Sequence, residues 1–289
     1  MNNDLSISFC PNGMIPTKKM TPHVPITVNE IVEDVHRAVE IGITMLHVHA
    51  RNEKTGAPTW EAEYYERIIS GIRKFSKDLI ICTTTSGRDF PEFEKRSDVL
   101  NLQGDLKPDM GSLTLSSLNF NKTASINSPE MIKSLASKMQ EKGIVPELEA
   151  FDAGMINYAK YLENKGIIKP PHYINLLLGN IACAQADLLH AGVMIRDLAQ
   201  NTSWGIAGIG NSQLMMNSLA IAAGGGVRVG LEDNIWYDQK RTKLATNSDL
   251  IKRIHTLAEA NERKVMSSKK MRKLLKLNPG NGSYGRDHN

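Results

Sequence analysis

Cysteine is scarce: three residues in 289, with no C-x-x-C pair, which leaves no basis for a disulfide framework or a thiolate zinc site. Cys10, Cys82 and Cys183 are expected to be buried, inert thiols. No apolar run approaches the roughly 18 residues needed to cross a bilayer. The first residues, Met1-Asn2-Asn3-Asp4, lack the basic start and apolar core of a signal peptide. A cytoplasmic protein with no membrane partner is the expectation. There is no internal repeat, no G-x-x-x-x-G-K-[ST] and no strand-bound G-x-G-x-x-G, so no nucleotide fingerprint is present. A global excess of one charge is missing as well. The formal net charge of +4 arises locally: Arg263 to Lys276 carries seven of the 35 Lys and Arg residues and no acid, and the other 28 face 31 acids, net −3. That segment reads as the solvated face of a terminal helix, and nucleic acid is not an expected partner.

What remains is an ordinary globular composition, 41% hydrophobic and 23% charged, arranged as an alternation of short β-rich runs and helical periods. Strands are expected at Leu5 to Cys10, around Met45 to His49, and at Leu79 to Thr84, Gly111 to Leu115, Val145 to Ala150, Tyr173 to Gly179, Ser203 to Ala207 and Val227 to Gly230. Between them lie helical stretches at Val28 to Ile41, with a Thr27/Glu30 capping box, and at Trp60 to Phe75, Ser128 to Lys142, Ala153 to Lys165, Ala182 to Ala199 and Ser212 to Ala223, with Asp249 to Glu262 last. Eight strands alternating with helical stretches match the size and order of a (β/α)8 TIM barrel. A single catalytic domain over residues 1–277 is expected, followed by a disordered tail over 278–289, rich in Gly and Asn.

A period of two along each strand then selects candidate site residues. His47 and His49 point the same way, about 7 Å apart along the strand, at its carboxyl end where barrels gather their chemistry. Two imidazoles so placed can share a metal ion, or each can be satisfied structurally. Arg228, Gly230 and Glu232 share the inward face of the last strand, and the glycine between two long side chains suggests room for a ligand. The first strand separates this one from the histidine strand by about 10 Å, so Glu232 can meet both histidines and complete a three-ligand site; the alternative is a plain Glu232–Arg228 salt bridge. Glu147 and Glu149 also face inward and need partners; Glu147 in particular can simply pair with an arginine or lysine lower in the barrel. Thr84, Ser86, Ser112 and Thr114 offer hydroxyls to an oxygen-rich substrate. Gly208-Ile209-Gly210 can hold phosphate before a helix, or serve only tight turn packing.

In this order and spacing, His47-Val48-His49-Ala50-Arg51, Val145-Pro146-Glu147-Leu148-Glu149, Gly208-Ile209-Gly210 and Arg228-Val229-Gly230-Leu231-Glu232-Asp233-Asn234 resemble the β-keto acid cleavage enzymes. The likeness runs from about residue 5 to 275. It implies a zinc-containing barrel, commonly a homotetramer, that converts a β-keto acid and acetyl-CoA into acetoacetate and a new CoA thioester. It implies His47, His49 and Glu232 as metal ligands, and Asp233 as general base supported by Arg228, which can hold Asp233 ionised or clamp a substrate carboxylate. Thr84 and Ser112 fall where the characterised type has a serine and a threonine, and Glu149 matches a second glutamate of that site. One departure bears on substrate: Ile15 stands where the aminohexanoate-cleaving member has a glutamate for the substrate ammonium, which points to a neutral or apolar tail. Two other classes use the same residues, a metal-dependent aldolase or lyase without CoA and a noncatalytic metal-binding barrel. Dependence of turnover on acetyl-CoA separates them.

Overall fold

The computed structural model describes residues 4–287. Eight of its strands are parallel neighbours: β1 (Ile7–Phe9), β2 (Met45–Val48), β3 (Ile80–Thr83), β4 (Met110–Thr114), β7 (Val145–Ala150), β8 (Tyr173–Leu178), β9 (Ser203–Gly208) and β10 (Gly226–Val229). They close on themselves in the order β1-β10-β9-β8-β7-β4-β3-β2. Helices α1 (Val28–Ile41), α2 (Ala62–Arg73), α4 (Pro129–Lys142), α5 (Ala153–Asn164), α6 (Leu188–Arg196), α7 (Gln213–Ala222) and α8 (Asn247–Ala260) alternate with them. This is the (β/α)8 barrel expected from the alternation, and β1 does separate β2 from β10. The remaining elements are a short helix, α3 (Phe93–Ser97), a hairpin of β5 (Leu118–Asn119) with β6 (Ala124–Ser125) beyond β4, and a last helix, α9 (Ser268–Leu274).

Local chemistry sets the ends of these elements. Thr27 and Glu30 form the reciprocal capping box at α1, and Ser128 caps α4 with Pro129 in its first turn. The sixth helix is shorter than expected. It starts only at Leu188 because Asp187 accepts from the His190 amide at 2.8 Å and caps it there, while residues 180–186 turn.

The base of the barrel departs most from expectation. Met45, Ile80, Met110, Val145 and Tyr173, on the lower inward faces of the strands, pack against Met266, Met271, Leu275 and Leu277, so α9 and its flanks plug the barrel from below. The segment from Asn278, expected to be disordered, is ordered through Asp287. Asn278 N–H donates to Gly285 O, Arg286 N–H donates to Gly143 O, and buried Tyr284 lies 3.7 Å under the Arg73 guanidinium. Glycines there permit close backbone contacts that a larger residue would block, so a composition typical of disorder serves packing. The basic segment is likewise not only a solvated face. Arg263 is buried and donates to Ile221 O and Gly225 O, and Arg272, 1% exposed, meets the equally buried Asp109 at 2.7 Å.

Candidate active site

At the opposite, carboxyl end of the strands, β2 delivers His47 and His49 to one point, their Nε2 atoms 3.2 Å apart. Glu232, just beyond β10, brings Oε1 to 3.2 Å from His49 Nε2. One ligating atom from each of the three lies within 4.8 Å of the others. Asn12 fixes the strand end by bonding both the N–H and the C=O of His49. Arg51 donates to Gly13 O, Pro16 O and Gly56 O and so holds the loop after β1 across the site. Gly13, at φ +59°, has room for no side chain, since a Cβ there would fall 2.4 Å from Glu232 Cγ.

Behind His47 stands Glu147, with Oε2 at 2.5 Å from His47 Nδ1. The expected arginine or lysine lower in the barrel is not its partner; besides His47, it accepts from Cys82 Sγ at 3.1 Å and Asn175 Nδ2 at 2.9 Å. A carboxylate on Nδ1 keeps that proton in place and turns the Nε2 lone pair toward Glu232. Burial pushes the His47 and His49 pKa values down; Glu147 and Glu232 together outweigh it at His47, which ends raised, while His49 ends lowered despite Glu232. Cys82, His47 and Glu147 also lie within 4.8 Å of one another. That group is already satisfied by its own hydrogen bonds, and burial raises the Cys82 thiol well above its ordinary value, so it offers no thiolate.

Arg228 occupies the centre. Its Nη2 meets Glu232 at 2.7 Å, its Nε meets Asp233 at 3.2 Å, and its Nη1 meets Glu149 at 3.4 Å. All three of its side-chain nitrogens are thus engaged by carboxylates of the protein. Burial raises Glu232, but Arg228 and the histidines overcome it and leave the group well below the usual carboxylate range. For Asp233 burial prevails over Arg228, and its pKa is pushed up to about 6.

The group fits a divalent cation on two grounds. Glu149, Glu232 and Asp233 all pair with the one guanidinium of Arg228, three carboxylates on a single cation, a grouping costly to hold largely out of water. Glu232 Oε2 is buried and has no hydrogen-bond partner among the described residues, beside two imidazole Nε2 atoms that face the same point.

The remaining predicted residues fall around this centre with differing degrees of engagement. Thr114 donates to Glu149 Oε2 at 2.7 Å, and Ser112 accepts from Thr85 N–H while its own carbonyl takes the Thr85 hydroxyl, so both brace neighbours. Thr84 and Ser86 line a cavity of about 20 Å³ against His49, together with Met14. Ile15 is 55% exposed on the loop after β1. Gly230 does not open space for a ligand: a Cβ there would sit 1.9 Å from Cys10 O, so the missing side chain admits the β1 backbone. Gly208 similarly packs on Ser212, and the Gly210 amide donates to Asp233 O at 2.8 Å, a turn that leaves this amide no phosphate to bind. A larger cavity, about 380 Å³, lies at the other end of the barrel between residues 143–146 and the tail, away from these groups. Sequence reasoning missed Asn12 and Asn175, whose side chains come from a loop and a strand face with no distinguishing spacing, and it quoted Arg51 at the end of the histidine motif without giving it a role.

A His-His-Glu set, its histidines buried and its glutamate partly so, beside an Arg–Asp pair at the mouth of a (β/α)8 barrel defines a class of candidate metal-assisted enzymes. Residues 4–277 match the family described as beta-keto acid cleavage enzyme, and the chain belongs to that family. It is 36% identical over 280 residues to the 3-oxoadipate:acetyl-CoA acetyltransferase of Cupriavidus necator, covering 96% of each chain. It is 33% identical over 280 residues to the 3-keto-5-aminohexanoate cleavage enzyme of Fusobacterium nucleatum, covering 96% of this chain and 99% of that one. Among solved structures, apo ObcA superposes with a TM-score of 0.78 at 17% identity, over 89% of this chain and 66% of ObcA, a likeness of fold alone.

Proposed function

We propose that this chain condenses a β-keto acid with acetyl-CoA and cleaves the adduct to acetoacetate and a new acyl-CoA, with a divalent metal, zinc first, held by His47, His49 and Glu232. The observation that carries the metal is the unpartnered, buried Glu232 Oε2 beside the two facing imidazole nitrogens. Such an ion supplies Lewis-acid relief of the negative charge that develops on the keto acid oxygens. Asp233 takes the proton from the carbon between the two carbonyls, and Arg228 orients the Asp233 carboxylate for that transfer. The carbanion attacks the thioester carbonyl of acetyl-CoA and the CoA thiolate leaves. The thiolate then adds to the original keto carbon, the bond between that carbon and its neighbour breaks, and the released carbanion takes back the proton held by Asp233 and leaves as acetoacetate beside the new thioester. Thr84, Ser86 and Ser112 surround the oxygen-bearing end, and Glu149, fixed by Thr114 and Arg228, stands above it. Gly208 and Gly210 shape the loop beside Asp233 that the CoA arm would pass. Cytoplasmic location and a homotetrameric assembly belong to the same proposal.

The test is metal analysis of purified protein, followed by a screen of β-keto acids with and without acetyl-CoA and a CoA-thioester readout. His49→Ala is expected to lose both metal and turnover, while Asp233→Asn keeps the metal and loses roughly 10²–10⁴-fold in rate. Turnover without acetyl-CoA would instead identify a lyase, and metal retained in His49→Ala would remove the ligand assignment.

A further inference from the structure

The segment from the end of β3 through α3 carries three cations, and two of them are spoken for. Arg96 donates to Thr85 O, Ile126 O and Asn127 Oδ1. Lys95 pairs with Glu92 at 2.8 Å. Arg88 is different. Its guanidinium carbon lies 3.4 Å from the centre of the Phe120 ring, a distance that requires it to rest on the ring face. Among the described residues its side chain makes no hydrogen bond and no ion pair within 4.0 Å, although Glu232, Asp89 and Glu149 all exert an electrostatic pull on it. Residues on either side of it, Ser86 and Phe90, line the small cavity against His49.

Phe120 is itself held. It sits in the turn of the β5–β6 hairpin, where its N–H donates to Thr123 O, and its ring meets Phe151 edge-on at 6.0 Å. Phe151 directly follows β7, the strand that carries Glu149. A guanidinium laid on an aromatic face keeps its in-plane N–H donors free, and those donors match the two oxygens of a carboxylate. Half-buried and braced on an aromatic pair, Arg88 is a preorganised cationic fork without an anion.

We propose that Arg88 recognises a carboxylate at the far end of the β-keto acid, so that this chain favours dicarboxylic substrates. This rests on the keto acid reading of the site and sharpens it, replacing the neutral or apolar tail inferred from Ile15. Ile15 removes one acid from the loop after β1, whereas Arg88 adds a cation on another loop. The centre has its carboxylates gathered on Arg228, so the keto end of the substrate belongs there and the distal end reaches the rim, where Arg88 is the cation left without a hydrogen bond or ion pair among the three between β3 and the end of α3.

The experiment compares kcat/KM for 3-oxo dicarboxylic acids of six and seven carbons with their uncharged-tail counterparts, 3-oxohexanoate and 3-oxoheptanoate, in the wild type, Arg88→Met and Arg88→Lys. The wild type is expected to prefer a dicarboxylate by roughly 100-fold, Arg88→Met to erase that preference while changing the uncharged substrates and the acetyl-CoA KM less than about threefold, and Arg88→Lys to recover part of it. Calorimetry of each keto acid alone, without acetyl-CoA, reads the same preference as binding. Equal losses for both substrate types in Arg88→Met would place Arg88 on the common carboxylate, and a rise confined to the acetyl-CoA KM would place it on a CoA phosphate; either result overturns the proposal. Should no keto acid turn over while dicarboxylate binding still depends on Arg88, the catalytic reading fails and this one stands. Turnover without charge preference does the opposite, leaving the keto acid chemistry in place and removing the role of Arg88.

Discussion

Glu147 is fully buried and bonds three different side chains, His47, Cys82 and Asn175. Its effect is exerted through His47, by holding the Nδ1 proton and the ring plane. Glu147→Gln keeps the shape and can turn a donor rather than an acceptor toward His47, so metal affinity is expected to fall about 10–100-fold, measured by competition with a chelating dye. Activity at saturating metal should recover in large part, which a direct catalytic role would not allow. The histidine pair, Arg228 and Glu232 were legible in the sequence because a period of two places them on one face and the carboxyl strand ends are where such barrels work. The partner of Glu147 was not, because β2 and β7 are separated by two strands and their relative height depends on the stagger of the whole barrel. Arg88 was invisible for a related reason: its stacking partner comes from a hairpin that carries no periodic signal.

At the scale of elements, local patterns located each barrel strand and most of the helices to within a few residues, since alternation, caps and glycine stops are properties of short stretches; the short α3 and the late start of α6 are the exceptions. What a local pattern cannot show is how closely two backbones approach. Gly230 at the end of β10 is such a case, because its absent side chain lets Cys10 O of the β1 end come near. Gly230→Ala is expected to destabilise the protein by about 1–3 kcal/mol in a denaturant titration, as overpacking does. It should also displace Glu232 and Asp233, which follow within three residues, so activity should drop further than stability explains. A variant with unchanged midpoint and unchanged rate would show that β1 and β10 yield freely.

The whole molecule is a barrel with chemistry at one mouth and a seal at the other, and the seal is as polar as it is apolar. Asp109 accepts from Arg73 at 3.0 Å and from Arg272 at 2.7 Å, with the Gly285 amide adding a third donor at 3.0 Å. Arg272→Ala removes two charge-assisted hydrogen bonds to Asp109 and leaves it paired with Arg73 alone, and a loss of about 3 kcal/mol is expected from chemical denaturation. Metal content at the far end should stay unchanged in the folded fraction. The composition of this region misleads because asparagine and glycine are common both in disordered tails and in tight closures, and only the buried Asp109 distinguishes them.

The closing partners of the barrel also lie far apart in time. Ser8 on β1 pairs with Arg228 on β10, and the plug begins only at Met266. At about 5–20 residues per second of synthesis, the first strand waits on the order of ten seconds or more for its neighbour. Throughout that interval its apolar side chains and one unsatisfied edge are presented to the interior of whatever host makes it. Chaperone dependence during expression, rather than fragility once folded, is the burden this topology carries.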